Sequence, residues 1–265
     1  MKVVLFCGGF GTRLREHSEV VPKPLVEIGS RPIIWHLMNY YAYFGHKDFI
    51  LCLGYKGELI KQYFLDYNSY LYRDFQMERG GAKLTPPESD IADWTIQFVD
   101  TGLHSNIGQR LLHVRELLEG EDMFLANYSD QLSNYPLPEL ISFHREKNMV
   151  ASFLSAKPAQ SFHQLEVDDH GVVTKFGAAA ESDYWINGGY MALNQEIFDY
   201  IEEGDELVEE PFNRLMAERR LGSVKYTGFW ASMDTFKDKI MFDRMHGRGE
   251  CPWEVWSKGS GEQGQ

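Results

Sequence analysis

Near the start of the chain, three glycines, a threonine and two cations are spaced in a way that suggests phosphate chemistry. Gly8, Gly9 and Gly11 directly follow a β-branched run, Thr12 and Arg13 come next, and Lys23 sits further on between Pro22 and Pro24. Glycines at a strand end let backbone N–H groups turn inward and approach a triphosphate, while Arg13 and Lys23 supply charge-assisted contacts to its oxygens. The two prolines fix the backbone that presents Lys23, which a merely solvated lysine does not need. The loop is not a Walker A sequence, since no Gly-Lys-Ser/Thr follows, and it lacks the third glycine of the dinucleotide fingerprint. Taken alone, it reads either as a phosphate cradle or as an ordinary glycine turn.

A cradle needs a sheet to hold it. The run 2–7 predicts a buried strand feeding the loop. Further strands are predicted over 48–53, 95–100, 123–128, 150–155 and 190–193, and helices over 33–41, 107–118, 137–147, 208–221 and 234–246. Strands alternating with helices call for an α/β fold. Its mostly parallel, Rossmann-like sheet carries helices on both faces and a small additional β region. Ligands bind such sheets beyond the carboxyl ends of the strands, and Asp130 lies just past the 123–128 strand. That makes it a candidate metal ligand, with a turn residue as the alternative. The segment 66–93, rich in Tyr, Arg and Gly and broken by Pro86-Pro87, departs from the alternation. It is expected to be an excursion, a hairpin used in assembly. Residues 1–256 are expected to form one domain, and the polar, glycine-rich 257–265 a disordered tail.

The 265 residues carry 26 Lys+Arg against 39 Asp+Glu, a formal charge of −13, and 43% of them are hydrophobic. That balance excludes a broad nucleic-acid or anionic-membrane surface, so a phosphate-bearing ligand has to be met by local cations. Cys7, Cys52 and Cys251 show no metal or redox spacing, which points to a reducing, cytoplasmic setting. No apolar run is long enough for a membrane span, and the histidines form no zinc-ligand spacing.

Together, Gly8-Gly9-x-Gly11-Thr12-Arg13-Leu14, Pro22-Lys23-Pro24 and Gly29-x-x-Pro32 resemble the signature of the sugar-1-phosphate nucleotidylyltransferases. The resemblance spans roughly residues 1–256 and is greatest to the glucose-1-phosphate cytidylyltransferases. It includes Gly54-Tyr55-Lys56-Gly57, Ile186-Asn187-Gly188-Gly189, Met233-Asp234-Thr235 and Pro252-Trp253-Glu254. It implies an enzyme that transfers a cytidylyl group from CTP to a sugar 1-phosphate, glucose 1-phosphate first, with Mg²⁺ and as a homo-oligomer. The attacking phosphate is already an anion, so the chemistry needs positioning and charge neutralisation rather than a strong base. By resemblance, Asp130 and Asp234 bind the metal. Lys23 contacts the α-phosphate and the attacking phosphate, and Arg13 the β and γ groups. Gly8, Gly9, Gly11, Thr12 and Thr101 hold the nucleotide with Asp130, and Gly108 and Arg110 lie against the pyrimidine. A guanidinium can donate to O2 and N3 of cytosine, whereas uracil and thymine carry a hydrogen on N3. The plain alternatives are a solvated Arg110 in the first turn of a helix and Asp234 as a helix N-cap.

The acceptor side departs from the family pattern. Ser129-Asp130-Gln131 replaces Gly-Asp-Gly, and Phe162-His163 replaces Phe-Gly. Ala178 stands where the family has the lysine of Glu-Lys-Pro. Lys175 could replace that lysine only with a shift of strand register. His163 is expected either to bind the acceptor, as a cation or donor, or to be a surface histidine. Asn187 and Gly188 remain to offer an amide and close backbone approach. The acceptor is therefore glucose 1-phosphate or another phosphate or phosphonate, and another pyrimidine triphosphate remains open. A nucleotide-binding protein without turnover is the third reading. Tyr63, Tyr67, Tyr70, Tyr72 and Phe75 are expected to be exposed at a subunit interface.

Overall fold

The computed structural model describes residues 1–9, 21–81, 83–85, 87–158, 163–178 and 183–260. Its main-sheet strands are Lys2–Phe6 (β1), Asp48–Leu53 (β2), Thr95–Asp100 (β3), Met123–Asn127 (β4), Ala151–Ala156 (β5), Ile186–Asn194 (β6) and Leu221–Tyr226 (β7). The helices are Ile33–Tyr43 (α1), Gly57–Leu65 (α2), Ile107–His113 (α3), Leu137–Glu146 (α4), Glu210–Ala217 (α5) and Phe236–Gly247 (α6). Side-chain alternation along β1 creates the two sides of the molecule. Val3 and Leu5 enter one apolar cluster, with residues of α1, α2, α4 and α6, while Val4 and Phe6 enter a second, with residues of α3 and α5. A strand buried on both faces reads as a continuous apolar run for this reason.

The seven-stranded sheet runs β7-β5-β6-β4-β1-β2-β3. All its pairings are parallel except those of β6, which is antiparallel to both β4 and β5. From β1 the chain goes to β2 on one side and later returns through β4 on the other. The crevice at the carboxyl ends of β1 and β4 is thus a topological switch point. Ser129 closes its floor: at φ +20° it turns the chain after β4, and its Oγ donates to Phe6 O at 2.8 Å.

Several expectations are corrected. The helix expected over 208–221 is the shorter α5; Arg219 adopts a left-handed φ of +59°, and Leu221 opens an unexpected seventh strand. The helix over 107–118 divides into α3 and a 3-10 turn, Arg115–Leu118, and the strand over 190–193 reaches back to Ile186. The excursion does contain a hairpin, Gln76–Glu78 with Lys83–Thr85. Of the five aromatic residues Tyr63, Tyr67, Tyr70, Tyr72 and Phe75 only Phe75 is exposed. Tyr67 and Tyr72 flank the Arg31 guanidinium, which lies 3.7 Å from the Tyr72 centroid and 4.4 Å from that of Trp35, and pairs with Asp90 at 2.9 Å. These rings dock the excursion on the body. Of the segment 257–265, residues 257–260 belong to a 3-10 run, Val255–Ser260; residues 261–265 lie outside the described residues.

Just before that run Trp253 is buried, and its indole N–H donates to His36 Nδ1 at 3.3 Å. Acceptance at Nδ1 makes the His36 ring neutral, with the proton on Nε2, which donates to Ile28 O at 3.3 Å. Burial accordingly pushes the His36 pKa down to about 4. Among the described residues no helix is long and apolar enough to cross a membrane.

Candidate active site

Asp130 and Asp234 meet through a short ribbon. Asp130 precedes the strand Gln131–Ser133, which pairs antiparallel with Trp230–Ser232. The pairing continues one step further, with Met233 N donating to Asp130 O at 2.9 Å. Lys23 approaches from the 3-10 turn Lys23–Leu25, closed by Leu25 N to Pro22 O at 2.8 Å. Its Nζ donates to Asp130 Oδ2 and, at 2.7 Å, to Asp234 Oδ1. Asp234 is not the helix cap: Thr235 caps α6 in a reciprocal capping box with Asp238. The Asp234 carboxylate accepts from Ser232 Oγ (2.7 Å) and from Lys23.

Burial works to lower the Lys23 pKa, but the two carboxylates override it and raise it above the ordinary value. Two carboxylates therefore converge on one cation. Asp130 Oδ1 is also buried without a hydrogen-bond partner among the described residues. This donor set suits a hard divalent ion that completes its shell with water and phosphate oxygens. Among the described residues no group of three or more His, Cys, Asp or Glu side chains converges on a point, so any such ion would share its coordination with the substrate.

A cleft of about 510 Å³ opens beside this cluster, with Gly8, Gly9, Lys23, Arg110, Asp130 and Glu206 in its wall. Arg110 is not a solvated helix residue but is buried. Its Nη1 donates to Leu53 O (3.0 Å) and Thr101 Oγ1 (2.7 Å), and its Nη2 donates to Gly8 O (3.1 Å). Glycine is needed at position 8, because a Cβ there would collide with the guanidinium. Thr101 lies behind the wall, fully buried, donating to Leu53 O at 2.8 Å. Gly108 also lies behind it, packed so closely on the Asp205 carbonyl that a Cβ would clash. Gly11, Thr12 and Arg13 lie outside the described residues. Glu206 was not legible in the sequence, where it stands in an acidic run, 202–210, that looks like solvated surface.

The acceptor side is more sparsely built. A smaller cleft of about 160 Å³ is lined by Gln131, Asn187, Trp230 and Asp234 among others, so Asp234 borders both clefts. Asn187 donates to Tyr128 Oη at 3.3 Å and accepts from Gly189 N at 2.9 Å. Gly188 contributes its carbonyl to the Trp230 indole N–H (2.8 Å) rather than surface to the cleft. The His163 backbone pairs with Ala178 in the hairpin formed by His163–Val167 and Val173–Ala178. The His163 side chain, like Phe162, lies outside the described residues. Lys175 pairs across the hairpin with Glu166 at 3.2 Å.

A model of the family described as "Nucleotidyl transferase" matches residues 2–236. The chain belongs to that family. This nucleotidyl transferase is 37% identical to a Bacillus subtilis (strain 168) protein described as "Probable glucose-1-phosphate cytidylyltransferase", over 97% of the chain and 100% of the relative. It is 35% identical to the glucose-1-phosphate cytidylyltransferase of Salmonella typhi, with the same coverage. The crystal structure of HddC from Yersinia pseudotuberculosis shares its fold with a TM-score of 0.62 at 17% identity, covering 92% of this chain and 99% of that one. The family match makes the chain a nucleotidyltransferase.

Proposed function

We propose that this nucleotidyltransferase transfers a cytidylyl group from CTP to glucose 1-phosphate with the help of Mg²⁺, releasing pyrophosphate. The observation that carries the reading is the convergence of Lys23 on Asp130 and Asp234 at the switch point, beside a cleft walled by Gly8, Gly9 and Arg110. Asp130 and Asp234 would hold the ion, which when bound supplies charge neutralisation at the triphosphate. Lys23, on its proline-braced turn, donates to the α-phosphate and the acceptor phosphate as charge develops between them. An acceptor phosphate oxygen forms the new bond to the α-phosphorus, and the bridging bond to the β-phosphate breaks with its electron pair leaving on pyrophosphate. No proton has to be removed from the nucleophile. Gly8 O is pinned by Arg110 Nη2 and by the Tyr55 N–H at 3.3 Å, which fixes the start of the loop against which the triphosphate lies.

The test is pyrophosphate release over a matrix of nucleoside triphosphates and phosphorylated acceptors. CTP with glucose 1-phosphate is expected to be the fastest pair. Tight CTP binding with no release from any pair would replace this reading with that of a non-catalytic nucleotide binder.

One observation favours a different acceptor. Ala178 removes the family's lysine, but two other ammonium groups flank Trp185, Lys157 at 4.3 Å and Lys225 at 5.2 Å from the ring centroid. Ser155 pairs with Asn187 on one side and with Lys225 on the other, so Lys225 lies in register with the acceptor amide. An acceptor whose anion reaches that pair would outrun glucose 1-phosphate in the same matrix. Exposed Leu71, Phe75 and Met77 on the excursion support assembly into a homo-oligomer; sedimentation as a monomer would refute it.

A further inference from the structure

A cleft that selects cytosine needs a hydrogen-bond acceptor as well as donors. Cytosine presents acceptors at O2 and N3 and an amine at N4; uracil and thymine present a carbonyl in place of the amine. Arg110 has donors only. The acidic side chain that shares the cleft wall with Arg110 at that end is Glu206, on the loop before α5.

Three contacts hold this loop against the start of α3. Asn106 Nδ2 donates to Gly204 O at 3.0 Å, the Ile107 N–H donates to Glu206 Oε2 at 3.3 Å, and Gly108 admits the Asp205 carbonyl. Arg214 of α5 grips Asp205 from the other side. Gly108, which the resemblance puts against the base, makes room for the Asp205 carbonyl next to Glu206. One Glu206 oxygen is engaged by this framework. The other, Oε1, is buried and has no hydrogen-bond partner among the described residues. A buried carboxylate oxygen left without a donor carries a desolvation cost that a donor from a ligand removes. Burial also raises the Glu206 pKa above the ordinary carboxylate value.

We propose that Glu206 is the residue that reads the exocyclic amine of the base: Oε1 accepts from cytosine N4 while Arg110 donates to O2 and N3. The pair then rejects UTP and dTTP, whose carbonyl would face a carboxylate oxygen across the same gap. This inference rests on the nucleotidyltransferase reading and deepens it by naming the determinant of base choice.

The test compares the wild-type chain with Glu206→Gln and Glu206→Ala, measuring equilibrium binding of CTP and UTP by calorimetry without acceptor, and kcat/KM for both with acceptor. Gln keeps the shape and can turn its amide N–H toward a carbonyl, so Glu206→Gln is expected to narrow the CTP-over-UTP preference by about tenfold or more, in binding and in kcat/KM alike. Glu206→Ala is expected to lose the preference by weakening CTP more than UTP. Equal losses for the two nucleotides, or an unchanged ratio, would overturn the proposal and leave Glu206 as an anchor for α3. A wild-type chain that prefers UTP would overturn it too, without touching the nucleotidyltransferase reading. If the wild type turns over no substrate pair and still binds CTP over UTP through Glu206, the catalytic reading fails and this one stands.

Discussion

The two halves of the cleft are built differently. On the nucleotide side Arg110 is buried, donates three hydrogen bonds to fixed acceptors and fills space that Gly8 leaves for it. On the acceptor side Asn187 makes a bond of 3.3 Å to Tyr128 Oη and accepts one from Gly189 N in its own strand. Beyond it the hairpin of 163–178 shows exposed Leu165, Val173 and Phe176. The first half is preorganised, with its ordering costs met on folding; the second leaves much of that cost to binding. On the proposed function, base identity is therefore written into the folded wall, while acceptor identity rests on few contacts.

The junction of the halves should show the largest effect. Lys23→Ala is expected to lower kcat by a factor on the order of 100 or more with either substrate varied, as loss of a transition-state donor does; steady-state kinetics with unchanged turnover would remove Lys23 from the chemistry. A control that belongs to neither half comes from His36. Its folded pKa of about 4 lies below the unfolded value of 6.5, so the unfolded chain binds the proton more readily. The stabilisation is complete above pH 6.5 and is lost as pH falls through 4. Urea unfolding is expected to show a loss of about 2 kcal/mol between pH 7 and 4.5 that His36→Gln does not share; identical pH slopes in the two chains would contradict the neutral-ring assignment.

The difference between the halves is tested more directly by Gly8→Ala. The added methyl displaces the Arg110 guanidinium, and KM for CTP is expected to rise about tenfold while KM for the acceptor holds. Equal changes in both would show that the wall is not a separate unit. The smallest effect is expected on the other side, where Lys175→Ala removes an exposed ion pair and should shift the acceptor KM by less than about twofold, as surface pairs contribute little. A large shift there would mean that the hairpin reaches the substrate.

What the sequence revealed divides along physical lines. Strands 48–53 and 95–100 fall on their predicted bounds, because apolar runs flanked by turn signals carry local information. The strand at Leu221–Tyr226 was missed because its exposure alternates at a sheet edge and Gly222 and Lys225 give it little strand propensity. Lys23, Asp130 and Asp234 were legible through motif and resemblance, and the ribbon that joins them was not. Arg110 was found as a candidate, but its burial depends on Gly8, Leu53 and Thr101, each distant in the chain. Glu206 lay hidden because a solvated acid and one folded into a wall have the same local sequence.

The ribbon of Gln131–Ser133 and Trp230–Ser232 acts as a caliper. Main-chain hydrogen bonds set the gap between Asp130 and Asp234, so the spacing of the two charges belongs to the backbone and is indifferent to the side chains beside them. Ser129 and Gln131 can therefore stand where the resemblance puts glycine without opening or closing the jaws. The same instrument can be fitted to another acceptor by exchanging its neighbours.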